Sequence, residues 1–138
     1  MDRFTIKSVD TDARLSFAFP GHYGGTRRSD YLDVDFFSQS LSSRLTIWLY
    51  EGDRQSLASL FTDMAENWKG WKGDKTWISA EGNFQLVCSS DRLGHIAIEV
   101  ELSQHRSSEP WFSRFTLMTE AGQLEKLANA AHKVLMIE

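Results

Sequence analysis

The sequence predicts an α+β fold, a largely antiparallel sheet of about eight strands with two helices packed on it. Three observations predict it. Apolar and polar residues alternate over eight short stretches, the period of a half-buried strand. Two longer stretches repeat their apolar residues at helical spacing instead. Gly, Pro, Asn and Asp stand between the alternating stretches, where they can turn the chain. The order is ββββα-ββββα, which divides the 138 residues into similar halves, 1–69 and 70–138.

In chain order, Phe4-Thr5-Ile6-Lys7-Ser8-Val9 alternates as a first strand, and Leu15, Phe17 and Phe19 share one face of a second, stopped at Pro20-Gly21. Residues 21–30 contain three glycines and are expected to form a loop. Tyr31 to Phe37 places Leu32, Val34 and Phe36 on one face and Asp33 and Asp35 on the other. Arg44 to Tyr50 alternates Leu45, Ile47 and Leu49 with Thr46, Trp48 and Tyr50, so both faces are expected to be covered. Asp53 is a suitable N-cap for helix 53–68, in which Leu57, Leu60, Phe61, Met64, Ala65 and Trp68 form one apolar stripe. That stripe places Trp68 in the core.

The strand pattern resumes with Thr76, Ile78 and Ala80 opposed to Trp77 and Ser79, then a turn at Glu81-Gly82-Asn83. Phe84, Leu86 and Cys88 share a face. Ile96, Ile98, Val100 and Leu102 alternate with Ala97, Glu99 and Glu101, which gives one wet face. Trp111 to Thr119 is the last strand, with Phe115 and Leu117 inward. Thr119 is placed to cap the closing helix, where Leu124, Leu127, Ala128, Ala131, Val134 and Leu135 face the core.

The halves also match in register. Arg44, Thr46, Gly52, Leu57 and Ala58 correspond at an offset of 70 residues to Arg114, Thr116, Gly122, Leu127 and Ala128. A unit of about 69 residues is small for a core of its own, so one shared core and a single domain, 1–138, are expected. Five Trp and nine Phe supply that core.

Charge and cysteine usage exclude several classes. Fifteen Lys and Arg stand against nineteen Asp and Glu, a formal charge of −4, so the basic excess of a nucleic-acid coat is missing. The single cysteine excludes a disulfide framework and a cysteine-rich zinc module. No segment reaches the ~18–20 apolar residues of a membrane span, and no apolar run of signal-peptide length follows Met1. The expected location is the cytoplasm, with no membrane and no nucleic-acid partner.

Motifs for chemistry are sparse. The glycine loop at 21–28 lacks the Gly-Lys-Ser/Thr ending of a phosphate cradle and leads into a strand, although Arg27 and Arg28 can touch an anion. His22, His95, His105 and His132 show no ligand spacing, and no cofactor or metal is expected. No Gly-x-Ser-x-Gly elbow is present, and Cys88 reads as a buried thiol. Asp33 and Asp35 share a strand face, as do Glu99 and Glu101; if their strands are close, they form an acidic stripe suited to a basic partner. Trp71, between two glycines, is a candidate anchor for that partner or a cover for the sheet edge.

Gly70-Trp71-Lys72-Gly73-Asp74-Lys75-Thr76-Trp77-Ile78-Ser79-Ala80-Glu81-Gly82 resembles a family of small uncharacterised bacterial proteins with a Gly-Trp-x-Gly-x-x-x-Trp-x-Ser-x-Glu-Gly signature. The resemblance continues through Ser90-Asp91-Arg92-Leu93-Gly94-His95-Ile96, Trp111 and Glu120-Ala121-Gly122-Gln123-Leu124-Glu125, and covers mostly residues 68–130. Such proteins are similar in style to immunity proteins that neutralise polymorphic or contact-dependent toxins. The expectation is therefore a non-enzymatic protein binder that occludes a toxin's active site through Asp33, Asp35, Trp71, Glu99 and Glu101. The alternative is a small-ligand binder or enzyme with a pocket between sheet and helices, lined by Trp48, Tyr50, Trp77 and Arg114, with His95 or Glu99 as acid or base. A third expectation is a module that pairs with itself through strand edges.

Overall fold

A computed structural model describes residues 3–20 and 30–136. Strands β1 (Arg3–Lys7), β2 (Arg14–Ala18), β3 (Tyr31–Phe37) and β4 (Ser42–Trp48) form one antiparallel sheet in sequential order, followed by α1 (Asp53–Glu66). Strands β5 (Lys75–Ile78), β6 (Phe84–Ser90), β7 (His95–Gln104) and β8 (Trp111–Glu120) repeat that arrangement in a second sheet. A single 3-10 turn, Ala121–Gln123, then leads into α2 (Leu124–Met136). The fold is α+β in the order ββββα-ββββα, with its eight strands divided equally between two sheets.

The alternation of each strand decides which face is buried. Phe4, Ile6, Leu15, Phe17, Leu32, Val34, Phe36, Leu45 and Ile47 line the inner face of the first sheet. Phe84, Leu86, Cys88, Ile96, Ile98, Val100, Leu102 and Leu117 line that of the second. The two inner faces meet where Phe17 lies 5.8 Å from Phe84, ring to ring, and where Phe36 stacks on Phe115. From α1, Phe61 packs edge-on against Phe4 and Phe17. One continuous apolar cluster thus draws on both sheets and both helices. Burying such side chains contributes roughly 1.5–3 kcal/mol each, which holds the layers together.

The repeat is visible in how the halves interlock. Each helix packs on the first strand of the other half's sheet, α1 on β5 and α2 on β1, and the helices pack on each other. The indole Nε1 of Trp77 donates to Ser56 Oγ at 2.8 Å, and Lys75 pairs with Asp63 at 2.7 Å, which ties α1 to β5. Beyond β1, the Val9 amide donates to Met118 O at 2.8 Å and the Met118 amide to Ser8 Oγ at 3.0 Å, which ties the first half to β8. Ser43 and Ser113, 70 residues apart, meet Oγ to Oγ at 3.4 Å.

Four local expectations are corrected. Gly52, at φ +89°, holds the N-cap position of α1; Asp53 instead turns its carboxylate back to accept the Tyr50 amide at 2.9 Å. Helix α1 stops at Glu66 because Asn67 leaves helical geometry and donates its side-chain amide to Asp63 O, so Trp68 swings off the stripe and is 55% exposed. Thr119 is buried within β8, and the chain runs on through the 3-10 turn before α2 begins, so it caps nothing. The second face of β4 is open: Thr46 and Tyr50 are exposed and only Trp48 is half-buried. The expected loop at 21–28, with Arg27 and Arg28, lies outside the described residues.

Candidate docking face

Each sheet turns its second face to solvent, and the two faces differ. On the first sheet, Arg3, Lys7, Arg14 and Arg44 point outward with Asp33 and Asp35. Four cations therefore surround two carboxylates. Arg14 lies over the Phe37 ring at 4.3 Å, and Tyr31, Trp48 and Tyr50 make an edge-to-face row at one end. On the second sheet, Glu99, Glu101 and Glu120 point outward with Arg114, three carboxylates against one guanidinium. Among them stand two large apolar side chains, Phe112 at 59% and Ile78 at 54% exposure, with half-buried Val87 and Met118.

The acidic stripe expected from the sequence does not form, because β3 and β7 belong to different sheets. The four carboxylates occupy matching places in the repeat instead. Asp35 lies opposite Arg44 and pairs with it at 2.6 Å; Glu101 lies opposite Arg114 and pairs with it at 2.9 Å. The hydrogen bond from Arg44 to Asp35, with the carboxylate's charge, raises the guanidinium's pKa above its ordinary value. Asp33 accepts the Thr46 hydroxyl at 2.6 Å. Glu99 lies opposite Thr116 and Val87. Among the described residues, no hydrogen bond or ion pair joins its carboxylate, and of the four it alone is left so.

The pocket expected between sheet and helices is not assembled from its four residues. Trp77 is buried beneath α1, Trp48 and Tyr50 lie on the outer face of the first sheet, and Arg114 on that of the second. His95 is exposed at the start of β7, opposite Glu120, and its Nδ1 meets Asp91 at 2.7 Å. An open groove of about 650 Å³ runs between α1 and α2 past Thr62, Glu66, Ala128 and His132. Among the described residues no three His, Cys, Asp or Glu side chains gather as metal ligands. No helix among them is long and apolar enough to cross a membrane.

The signature residues have architectural tasks. Trp71 is half-buried, donates Nε1 to the Cys88 carbonyl at 3.2 Å and carries Lys75 over its ring, so it covers the sheet edge. Gly70, at φ +118°, lets the chain pass against Ser90 and Asp91: a Cβ there would lie 3.3 Å from Ser90 Oγ. Ser79 Oγ donates to Asn83 Oδ1 and accepts the Phe84 amide, closing the hairpin at Gly82. Gly94 O accepts the Ala121 amide at 2.8 Å, which joins the third signature segment to the second. These residues hold turns and edges together and leave the outer sheet faces free.

Phe112 and Ile78 are not legible as outward from the sequence because each directly follows a tryptophan, Trp111 or Trp77. Two adjacent apolar residues in a strand point to opposite faces, and only the register shows which is inward.

The chain is thus a two-sheet α+β protein with one acidic, partly apolar sheet face open to solvent. Residues 6–138 match the profile of a family of unknown function, DUF6228, and the chain belongs to that family. No curated protein sequence matches it significantly.

Proposed function

We propose that the chain is a non-enzymatic protein-binding module that acts as an immunity protein in the bacterial cytoplasm, neutralising a cognate toxin by covering its active site. The observation that carries this reading is the exposure of Phe112 and Ile78 on the outer face of a hydrogen-bonded sheet whose inner face is buried, with half-buried Val87 and Met118 on the same outer face. Large apolar side chains held on a fixed scaffold lose little entropy on binding, and aromatic rings anchor the centres of protein interfaces. Glu99, Glu101 and Glu120 beside them favour a basic partner, because opposite charge speeds encounter and fixes orientation. Trp71, as the edge cover of β6, supports the face rather than touching the partner.

Co-expression with the product of the neighbouring gene tests the reading. A stable complex and protection of the host from that product's toxicity are expected. No complex and no protection would end it.

A further inference from the structure

We infer that Glu99 is the charge to which the partner presents a lysine or arginine, so that the partner docks a cationic protein surface on the second sheet's outer face; this rests on the protein-binding reading above. Glu99 is on β7, with β6 and β8 on either side, so it stands well inside the sheet rather than at its border. Its neighbours across the strands are Val87 and Thr116, and along the strand Ala97 and Glu101. Directly opposite side chains lie about 4.5–5.5 Å apart at Cβ, so these groups form the walls around its carboxylate. None of them offers a cation. Arg114 is taken by Glu101, with two nitrogens within 3.1 Å of one carboxylate oxygen.

Glu99 is half-buried, and among the described residues its carboxylate has no hydrogen-bond or ion-pair partner. Docking a surface over Phe112 and Ile78 would strip water from this carboxylate, and a partner cation compensates a buried carboxylate through both charge and hydrogen bonds. An anionic surface would meet Glu99, Glu101 and Glu120 together, and like charges placed face to face cost several kcal/mol. The first sheet's outer face has the opposite balance, with Arg3, Lys7, Arg14 and Arg44 outnumbering Asp33 and Asp35, so it repels the same partner. The two faces thereby choose which side of the molecule is covered.

The test is calorimetric binding of the full chain to the neighbouring gene product, at low and high salt. Glu99→Gln preserves the shape of the side chain and is expected to weaken binding about thirtyfold or more, and Glu99→Lys to abolish it. Asp33→Asn and Asp35→Asn are expected to bind as the native chain does. Unchanged melting temperatures of the Glu99 variants would separate lost contact from lost fold. Should the complex form and protect yet tolerate both Glu99 variants, or depend on Asp33 or Asp35 instead, the inference falls while the protein-binding reading stands. Should no complex form, both fall.

Discussion

Cys88 and Asp91 illustrate how one side chain's surroundings decide its chemistry. Burial pushes the Cys88 thiol up to about 12, with the charge of Asp74 adding to it, and the residue has no exposed surface. A thiol so placed stays protonated and shielded. A thiol-specific reagent at mildly alkaline pH is expected to leave it untouched in the native chain and to label it on unfolding; rapid native labelling would contradict the closed inner face of β6. Asp91 is shifted the other way, because the backbone amide of His95 first, then its ring, and the Leu93 amide hold the carboxylate charged. A carboxyl depressed in the folded state stabilises the fold above its unfolded value, about 4, and that contribution disappears as pH falls through the folded value. Asp91→Asn should therefore lower the melting temperature at neutral pH and narrow its gap to the native chain in acid.

At the scale of elements, turns rather than strands show the tightest sequence requirements. Gly94 joins β6 to β7 at φ +84°, a conformation that a Cβ disfavours by about 1 kcal/mol, although the Cβ itself would make only an ordinary contact with Ala121 at 3.7 Å. Gly122 has ordinary backbone geometry and nothing within 4 Å of the corresponding position. Chemical denaturation should find Gly94→Ala destabilised by about 1 kcal/mol or more and Gly122→Ala neutral or slightly stabilised. Helix α1 relies on its surroundings, since its N-cap lacks a side-chain acceptor and its buried face, Leu57, Leu60, Phe61 and Met64, packs on both halves.

For the whole molecule the central fact is that the halves share one interior. Phe17 of the first sheet packs on Phe4 and on Phe61 of α1 and also meets Phe84 of the second sheet, so removing it opens the contact between halves as well as the packing within the first. Phe17→Ala is expected to cost about 3–5 kcal/mol. It should do so in a single transition, with tryptophan fluorescence and far-ultraviolet circular dichroism falling together. Two separated transitions would mean that 1–69 and 70–138 fold as independent units.

Apolar periodicity was enough to determine the order of elements and the inward residues of β2, β3, β6 and β7, and matching residue identities related Arg44 to Arg114 at an offset of 70. These are local properties, because a period of two or of 3.6 residues is written along the chain itself. Strand adjacency is not local. Asp33, Asp35, Glu99 and Glu101 were recognised as outward carboxylates, but their division between two sheets, and the pairing of two with arginines, depends on which strands neighbour each other. Trp68 left the core stripe for a similar reason: non-helical backbone at Asn67 redirected the chain just before it. The exposure of Phe112 and Ile78, and the lack of a partner for Glu99 among the described residues, were decided by tertiary structure alone, since both depend on what packs nearby and not on the residue itself.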